Sequence, residues 1–207
     1  MRLFTSPLAP NVLRVVMLIR EKRLDVPLVQ VDLRSPEKKE AYRAVNPLGQ
    51  VPALELDDGS CISESLTICQ YLDAISGPPY LCGESLEQRT RIGMWERRVE
   101  LGLFIPAVEF GHHTHPMFRD VFQQFPDWAQ TMRAKAIDFY KLMGERLAAY
   151  PYVAGNGFSI ADITAYIGDR VAIFFGMPDS GVASVQEWRR RIDARNSVKN
   201  LFQQPSQ

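Results

Sequence analysis

The first part of the chain alternates between strand patterns and helix patterns, and no strand pattern follows Gly83. Apolar or alternating runs predict strands at residues 2–5, 28–33, 53–56 and 61–63. The sequence Asp57-Asp58-Gly59 is typical of a hairpin turn between the last two strands. With helix patterns in the remaining gaps, the order β-α-β-α-β-β-α predicts an α/β domain that has a parallel strand pair and then an antiparallel hairpin.

Three helix patterns complete this domain. The first begins at Pro10, because a first helical residue has no use for the N–H that proline lacks. A second, polar helix is predicted at residues 36–45 and ends at Asn46-Pro47-Leu48-Gly49, and Gly77-Pro78-Pro79 ends the third. The apolar stripes of the first and third helices are Val12, Val15, Val16 and Ile19, and then Ile68, Tyr71, Leu72 and Ile75.

Helix patterns alone fill the rest of the chain. Two long stripes are Ile92, Trp95, Val99 and Leu103, and then Met132, Ala136, Phe139, Tyr140, Met143 and Leu147. Ser159 suits the N-cap of a later helix, and Asp162 can reach back to it in a capping box. We expect Trp188-Arg189-Arg190-Arg191 on a solvated helix face and a loose tail beyond Asn196. The predicted domains are residues 1–77 (α/β) and 86–207 (all-helical), joined by a linker at 78–85.

The composition excludes several functional classes. Lys plus Arg and Asp plus Glu both number 24, so no net charge favours nucleic acid or a membrane surface as a partner. The opening MRLFTSPLAP lacks the apolar run of a secretory signal, and no segment is apolar enough to span a bilayer. Cys61, Cys69 and Cys82 are odd in number and form no C-x-x-C, which suits a reducing cytoplasm rather than a disulfide framework.

The segment Gly49-Gln50-Val51-Pro52-Ala53 is the first of three candidate binding segments. Pro52 stands at the start of a predicted strand, where a missing backbone N–H does not interrupt the hydrogen bonds of the sheet. A cis bond before Pro52 would turn the Val51 N–H and C=O outward, where they could pair with an extended, peptide-like ligand. From the residues alone, an ordinary trans proline remains the alternative.

The second candidate segment, Ser63-Glu64-Ser65, precedes the third helix. Free N–H groups and the positive end of the helix dipole favour a carboxylate at such a position. Glu64 would then face an ammonium while Ser65 takes the carboxylate, an arrangement that suits an α-amino acid head group. The alternative is that both serines are simple helix caps.

The third candidate segment is the loop before the first helix. Thr5 and Ser6 offer hydroxyls, and the helix start offers the Asn11 amide together with backbone N–H groups. Donors at a helix N-terminus lower the pKa of a thiol placed there. Ordinary capping by Ser6 or Asn11 is again the alternative.

Together these residues resemble the cytosolic glutathione S-transferase family, its bacterial members above all. The resemblance runs the length of the chain. Its motifs are Ser6-Pro7-x-x-Pro10, residues 46–54, Glu64-Ser65 and residues 158–163, in this order. It implies a thioredoxin-like N-terminal domain with a cis Pro52, followed by an all-helical domain. In function it implies a cytoplasmic homodimer that transfers the thiolate of its co-substrate glutathione to a small hydrophobic electrophile.

The resemblance also implies a role for individual residues. Glu64 and Ser65 would hold the γ-glutamyl group, and Val51, beside Pro52, would pair with the cysteinyl unit. Gln50, with Lys38 or Lys39 as an additional partner, would lie near the glycine carboxylate. The expected catalytic residues are Asn11 as the group that touches the sulfur and Ser6 as the reserve.

The opening loop departs from the family pattern. Ala9 stands where many bacterial relatives carry Ser, Thr or Cys, Leu8 stands where other classes use a serine, and no tyrosine is present at Thr5 or Ser6. Weak or absent transferase activity is therefore one expectation. Two alternatives stay open: a glutathione-dependent disulfide reductase or isomerase, and a non-catalytic protein-binding module.

His112, His113 and His115 form a cluster near the end of a predicted long helix. Structural zinc needs four ligands, and no cysteine or acidic partner stands at a familiar spacing, so we expect no metal here. The resemblance places this helix end beside the second-substrate pocket, which one of the histidines would then line.

Overall fold

The computed structural model describes residues 1–121 and 123–203, which form two compact units. Unit 1 comprises residues 1–80 and the described residues from 196 onward, and unit 2 comprises 81–195. The elements of unit 1 are β1 (Arg2–Thr5), α1 (Pro10–Lys22), β2 (Leu28–Gln30), α2 (Pro36–Tyr42), β3 (Ala53–Glu55), β4 (Cys61–Ser63) and α3 (Ser65–Ile75). β1 and β4 match their predicted bounds, whereas β2 and β3 are shorter than predicted.

The four strands form one mixed sheet in the order β2-β1-β3-β4. β1 is parallel to β2, with Leu3 opposite Leu28, and β3 is antiparallel to both β1 and β4. The hairpin turn closes with the Gly59 N–H donating to the Leu56 carbonyl at 3.0 Å, and Gly59 takes a φ of 83° that glycine adopts without a steric penalty. The predicted thioredoxin-like fold of this unit is confirmed.

The core of unit 1 lies between the sheet and the helices α1 and α3. Leu3 and Leu54 from the sheet and Leu72 from α3 are all 0% exposed. Pro10 is the first residue of α1, as predicted, and seven α1 residues are buried: Val12, Leu13, Arg14, Val15, Met17, Leu18 and Ile19. An arginine within this buried set is exceptional, because charged side chains are rarely buried without partners.

In the described residues of unit 2, the regular elements are all helices, as predicted. Its helices are α4 (Leu86–Val99), α5 (Ile105–Thr114), α6 (Pro126–Ala149), α7 (Ile160–Phe174) and α8 (Ala183–Asp193). A π-helical turn, Glu100–Phe104, joins α4 to α5. Pro106 follows it and has no N–H for the Gly102 carbonyl, so an uninterrupted α-helix is disfavoured at this point. All six residues of the predicted α6 stripe are buried.

The predicted capping box at the start of α7 is present. The Ser159 N–H donates to Asp162 Oδ2 at 3.0 Å, and Asp162 Oδ1 accepts from the Val153 N–H and the Trp188 indole, each at 2.9 Å. Asp162 is 0% exposed, and its burial raises the pKa of the carboxyl to about 6 although these donors act in the opposite direction. The carboxylate therefore joins α7, α8 and the loop before α7.

One sequence prediction about the end of the chain was wrong. The described residues 196–203 are not a loose tail: Leu201 is 3% exposed, and Arg20 of α1 donates to the Ser197 and Lys199 carbonyls. The structure thus groups them with unit 1 rather than with the helical domain expected at 86–207.

The arginine run of α8 is not simply a solvated face. Trp188 is 0% exposed, and the Arg189 guanidinium lies 2.7 Å from Asp169 and 2.9 Å from Asp179. Asp169, itself 0% exposed, also accepts from the Tyr140 hydroxyl at 2.9 Å. No helix within residues 1–121 and 123–203 has the length and apolar character needed to cross a membrane.

Candidate functional site

The turn before β3 is built around Asn46. Asn46 is 3% exposed; its amide donates to the Gln50 carbonyl at 2.7 Å, and its Oδ1 accepts from the Leu48 N–H at 3.2 Å. Gly49 takes a φ of 62°, and the Val51–Pro52 bond is cis, as the resemblance implied. The Gln50 carbonyl is therefore used inside the turn, whereas the Gln50 side chain is exposed.

The strand register places the three candidate segments at one end of the sheet. Phe4 lies opposite Ala53, and Ala53 lies opposite Ser63. Because β3 is antiparallel to both neighbours, the next position at this end of the sheet places Pro52 between Thr5, the last residue of β1, and Glu64, which follows β4. The backbone at Val51 and Pro52 thus lies beyond the paired part of β3, between the loop before α1 and the start of α3.

Glu64 has an unusual backbone conformation just before α3. Its φ is 65° and its ψ is 115°, a combination rare for a residue other than glycine, and its side chain is exposed. Ser65 is the first residue of α3 and is 6% exposed. Because the first N–H groups of a helix have no partner within it, the Ser65 N–H can donate to an anion.

The loop before α1 is a tight turn. The Ala9 N–H donates to the Ser6 carbonyl at 3.3 Å, and Leu8 takes a φ of 60°. Ala9 is the N-cap of α1 and provides no side-chain cap. Thr5 is 2% exposed and its hydroxyl lies 3.4 Å from the Val29 carbonyl, so it belongs to the sheet, whereas Ser6 is only half-buried.

A hydrogen-bonded network joins the start of α1 to the start of α3. The Ser65 hydroxyl donates to Asn11 Oδ1 at 2.9 Å. Nη1 of Arg14, a residue that is 1% exposed, lies 3.0 Å from Ser65 Oγ and 3.3 Å from Asn11 Oδ1. The structure therefore brings together Asn11 and Ser65, two residues singled out from the sequence.

Sequence reasoning missed Arg14 as a member of this network. The signal that could have found it is a lone charge within the apolar run Val12-Leu13-Arg14-Val15-Val16. Such a charge needs polar partners if the helix is buried on most sides. Asn11 is three positions away on the same helix, but Ser65 lies on α3, 51 positions along the chain, and no local pattern indicates that contact.

The two lysines of α2 have different surroundings. Lys38 Nζ lies 3.2 Å from Asp32 Oδ2 in an exposed ion pair. Lys39 lies beside the turn before β3: a methyl group added to Gly49 would be 3.5 Å from Lys39 Cε. Of the two, Lys39 is therefore closer to the Gly49-Gln50 turn.

Two of the three histidines of unit 2, His112 and His113, lie beside Glu109. His112 Nδ1 and His113 Nε2 each lie 3.6 Å from a Glu109 oxygen, and the Trp128 indole donates to the same carboxylate at 3.1 Å. An acidic side chain therefore lies beside two of the three histidines. Burial lowers the pKa of His112. Within the described ranges, no three His, Cys, Asp or Glu side chains are arranged to hold a metal.

Comparisons with known proteins agree with this geometry. Residues 3–80 match the family model described as "Glutathione S-transferase, N-terminal domain". Glutathione S-transferase 2 of Saccharomyces cerevisiae is 34% identical, over 98% of this chain and 90% of that protein. Glutathione S-transferase GstA of Escherichia coli O157:H7 is 30% identical, over 98% of this chain and 97% of that protein.

Solved structures give the same result. A glutathione S-transferase domain-containing protein of Marinobacter aquaeolei VT8 superposes with a TM-score of 0.89 at 34% identity, covering 96% of this chain and 100% of that one. Gtt2 of Saccharomyces cerevisiae superposes with a TM-score of 0.85 at 32% identity, covering 97% and 100%. These relatives support glutathione transferase function in general. The chain belongs to the glutathione S-transferase family.

Proposed function

We propose that the protein binds reduced glutathione at the end of the sheet in unit 1 and transfers its thiolate to a small hydrophobic electrophile. The observation that carries this proposal is the bond between Asn11 and Ser65, which joins the two helix starts next to Val51 and Pro52. One end of this arrangement suits an amino acid head group and the other suits a sulfur anion.

The γ-glutamyl group is assigned to Glu64 and Ser65. A carboxylate is favoured at the first turn of α3, where the Ser65 N–H is available and the helix dipole is positive. The exposed Glu64 carboxylate precedes it and can accept from the ligand's ammonium. The ligand's ammonium thus meets the Glu64 carboxylate, and its carboxylate meets the positive start of α3 at the next residue, Ser65.

The peptide part of glutathione is assigned to the turn before β3. The Val51 backbone lies beyond the paired residues of β3 and can bond the cysteinyl unit as one more strand would. For the glycine carboxylate, the surroundings favour Lys39, together with the Gln50 side chain, over Lys38, whose ammonium is paired with Asp32.

The sulfur is assigned to Asn11. Arg14 has only donors, so the Asn11 atom that faces it is the carbonyl oxygen, and the Nδ2 group is left to donate elsewhere. A donor to the sulfur stabilises the thiolate over the thiol, as do the N–H groups at the start of α1. Ser6 remains the reserve.

Isothermal titration with glutathione tests the binding step. We expect saturable heat with reduced glutathione and much weaker heat with cysteinylglycine, which lacks the γ-glutamyl group. No heat at millimolar glutathione would contradict the proposal and would favour a protein-binding module, as Ala9 at the usual hydroxyl position permits.

Two assays distinguish transfer from disulfide chemistry. A chloronitroaromatic reports thiolate transfer, and a small mixed disulfide reports glutathione-dependent reduction. We expect the aromatic to react. Turnover of the disulfide alone would favour a reductase, the alternative that the Pro10-Asn11 loop suggested.

We also propose that the protein is a cytoplasmic homodimer. Met94 of α4, Leu101 of the π-helical turn and Ile105 of α5 are 42%, 39% and 39% exposed, at spacings of seven and four residues that favour one side of the helix. Cys61, Cys69 and Cys82 form no disulfide in the described part of the chain, which suits a reducing compartment. Light scattering that gave the mass of a single chain would contradict the dimer.

A further inference from the structure

Arg14 lies behind both ends of the candidate glutathione site. Arg14 is 1% exposed, and its Nη1 lies within hydrogen-bond distance of both Ser65 Oγ and Asn11 Oδ1. Those two atoms are also bonded to each other at 2.9 Å. The three groups therefore form a closed triangle that connects the residue assigned to the γ-glutamyl group with the residue assigned to the sulfur.

We propose that Arg14 is a positioning residue that fixes which face of the Asn11 amide meets the sulfur and couples that choice to Ser65. This inference rests on the proposed function. An asparagine amide can rotate by half a turn and exchange a donor for an acceptor in the same place. If Oδ1 met the sulfur, it would repel a thiolate; if Nδ2 meets it, the amide donates.

The triangle determines the outcome of that rotation. Arg14 has no acceptor, so the reversed amide would turn its Nδ2 donor toward the Arg14 donor, and the Ser65 hydroxyl would lose the acceptor to which it now donates. Arg14 acts on the sulfur through Asn11 and is not itself in contact with it.

Ser65 gives the coupling between the two ends. Its hydroxyl is bonded to both Arg14 and Asn11, while its N–H is available for the ligand's carboxylate. Binding of the ligand's γ-glutamyl group thus orders Ser65, the residue whose hydroxyl holds Asn11 Oδ1. Glutathione is then expected to be activated more strongly than a thiol that lacks the γ-glutamyl group.

A double-mutant cycle tests the inference. The variants are Arg14→Met, Arg14→Lys and Asn11→Ala, with each Arg14 variant also combined with Asn11→Ala. Arg20→Met is the matched control, because Arg20 lies on the same helix and bonds two carbonyls of residues 196–203 rather than the site. Each protein is measured for the pKa of the bound glutathione thiol by thiolate absorbance, for glutathione affinity at low pH, and for melting temperature.

We expect Arg14→Met to raise the pKa of the bound thiol by about one unit in the wild-type background. With Asn11→Ala already present, the same change should shift that pKa by less than half as much, because the group through which Arg14 acts is gone. Arg14→Lys keeps the charge but not the planar donor fork, so it should restore only part of the loss. Arg20→Met should leave the thiol pKa unchanged.

Three outcomes would overturn the inference. Equal shifts with and without Asn11 would mean that Arg14 acts by charge alone. A lower melting temperature with an unchanged thiol pKa would mean a purely structural role. If Arg14→Met does not fold, the Arg14→Lys arm of the cycle is decisive, and additivity there would contradict the coupling. A wild type that binds no glutathione would instead contradict the proposed function itself.

Discussion

The Ser65 hydroxyl donates to Asn11 Oδ1 across 2.9 Å, which bonds the first residue of α3 to the second residue of α1. The N-termini of two helices therefore meet at one point. Each brings N–H groups that have no partner within its helix and a partial positive charge. A ligand with a carboxylate and a sulfur anion would be stabilised by both helix starts, the carboxylate by α3 and the sulfur by α1. Substitutions at one start can therefore change ligand binding separately from thiol activation at the other.

Glu64→Gln should weaken glutathione binding by about 1.5–3 kcal/mol, the scale of a charge-assisted hydrogen bond. The melting temperature should change little, because the Glu64 side chain is exposed. Titration calorimetry measures the affinity. Glu87→Gln is the control, since Glu87 is also an acid near a helix start but is paired with Arg91 on α4. Unchanged affinity in Glu64→Gln would make Glu64 an ordinary acid at a helix start.

Lys39→Met should weaken glutathione binding by about 0.5–1 kcal/mol, as expected for an exposed charge pair, whereas Lys38→Met should have a smaller effect. The reason is that Lys38 is paired with Asp32, while Lys39 lies beside Gly49. The loss should shrink at high salt. A larger effect of Lys38→Met would reverse this assignment of the glycine end.

Asn11→Ala should raise the pKa of the bound thiol by about one to two units, which corresponds to about 1.4 kcal/mol of lost thiolate preference for each unit. Affinity at low pH, where the thiol is protonated, should remain almost intact. Ser6→Ala is the matched comparison and should shift the titration less, because Ser6 lies in the turn that Leu8 and Ala9 complete before α1. The opposite ranking would assign the sulfur contact to Ser6.

Asp162→Asn should alter how stability depends on pH. Burial raises the pKa of Asp162 to about 6 from the 3.8 of an exposed aspartate, so the folded protein binds this proton more tightly than the unfolded chain. This group's contribution to the free energy of unfolding therefore falls as the pH rises from about 4 to 6. In the variant this pH dependence should disappear. Its free energy of unfolding should also fall by about 1–3 kcal/mol, because an amide has one oxygen and cannot accept at the positions of both Oδ1 and Oδ2.

Melting temperatures of the wild type and Asp162→Asn, measured across that pH range, test this prediction. The lowered pKa of His112 gives a slope of opposite sign, but it is present in both proteins and cancels in their difference. Asp138→Asn is the control, since Asp138 is exposed and paired only at the surface with Lys141. Parallel curves for the wild type and Asp162→Asn would contradict the prediction.

Gly168→Ala should destabilise the protein by about 1–3 kcal/mol, because the new methyl group would lie 3.0 Å from the Phe104 Cα, a backbone atom that no change of rotamer can move. Gly93→Ala is the matched helical control. Nothing lies within 4 Å of its new methyl group, so it should gain about 0.5–1 kcal/mol from helix propensity. Denaturant unfolding measures both.

Local patterns were sufficient to predict the fold because most elements carry their own signals. Pro10 marks the start of α1, Asp57-Asp58-Gly59 marks the hairpin, and Ser159 with Asp162 marks the start of α7. Each signal depends on residues a few positions apart. The π-helical turn before α5 was missed, although Pro106 was visible in the sequence.

What the sequence could not show depends on distant partners. In the segment at 196–203, Leu201 is 3% exposed, and the Ser197 and Lys199 carbonyls accept from the Arg20 side chain of α1. Arg189 pairs with Asp169, 20 positions earlier. Likewise, the role of Arg14 depends on α3. Residues that meet across long stretches of chain leave no periodic pattern between them.

The described residues 196–203 give the protein an order of assembly. They complete unit 1 by packing against α1, yet the whole of unit 2 separates them from the rest of that unit along the chain. On the ribosome, the surface of α1 that they cover stays open to water until all five helices of residues 81–195 have been translated. Unit 1 is therefore synthesised first but completed last. The candidate site lies at the start of α1, and the other end of this helix gains its contacts with residues 196–203 only after unit 2 has been translated.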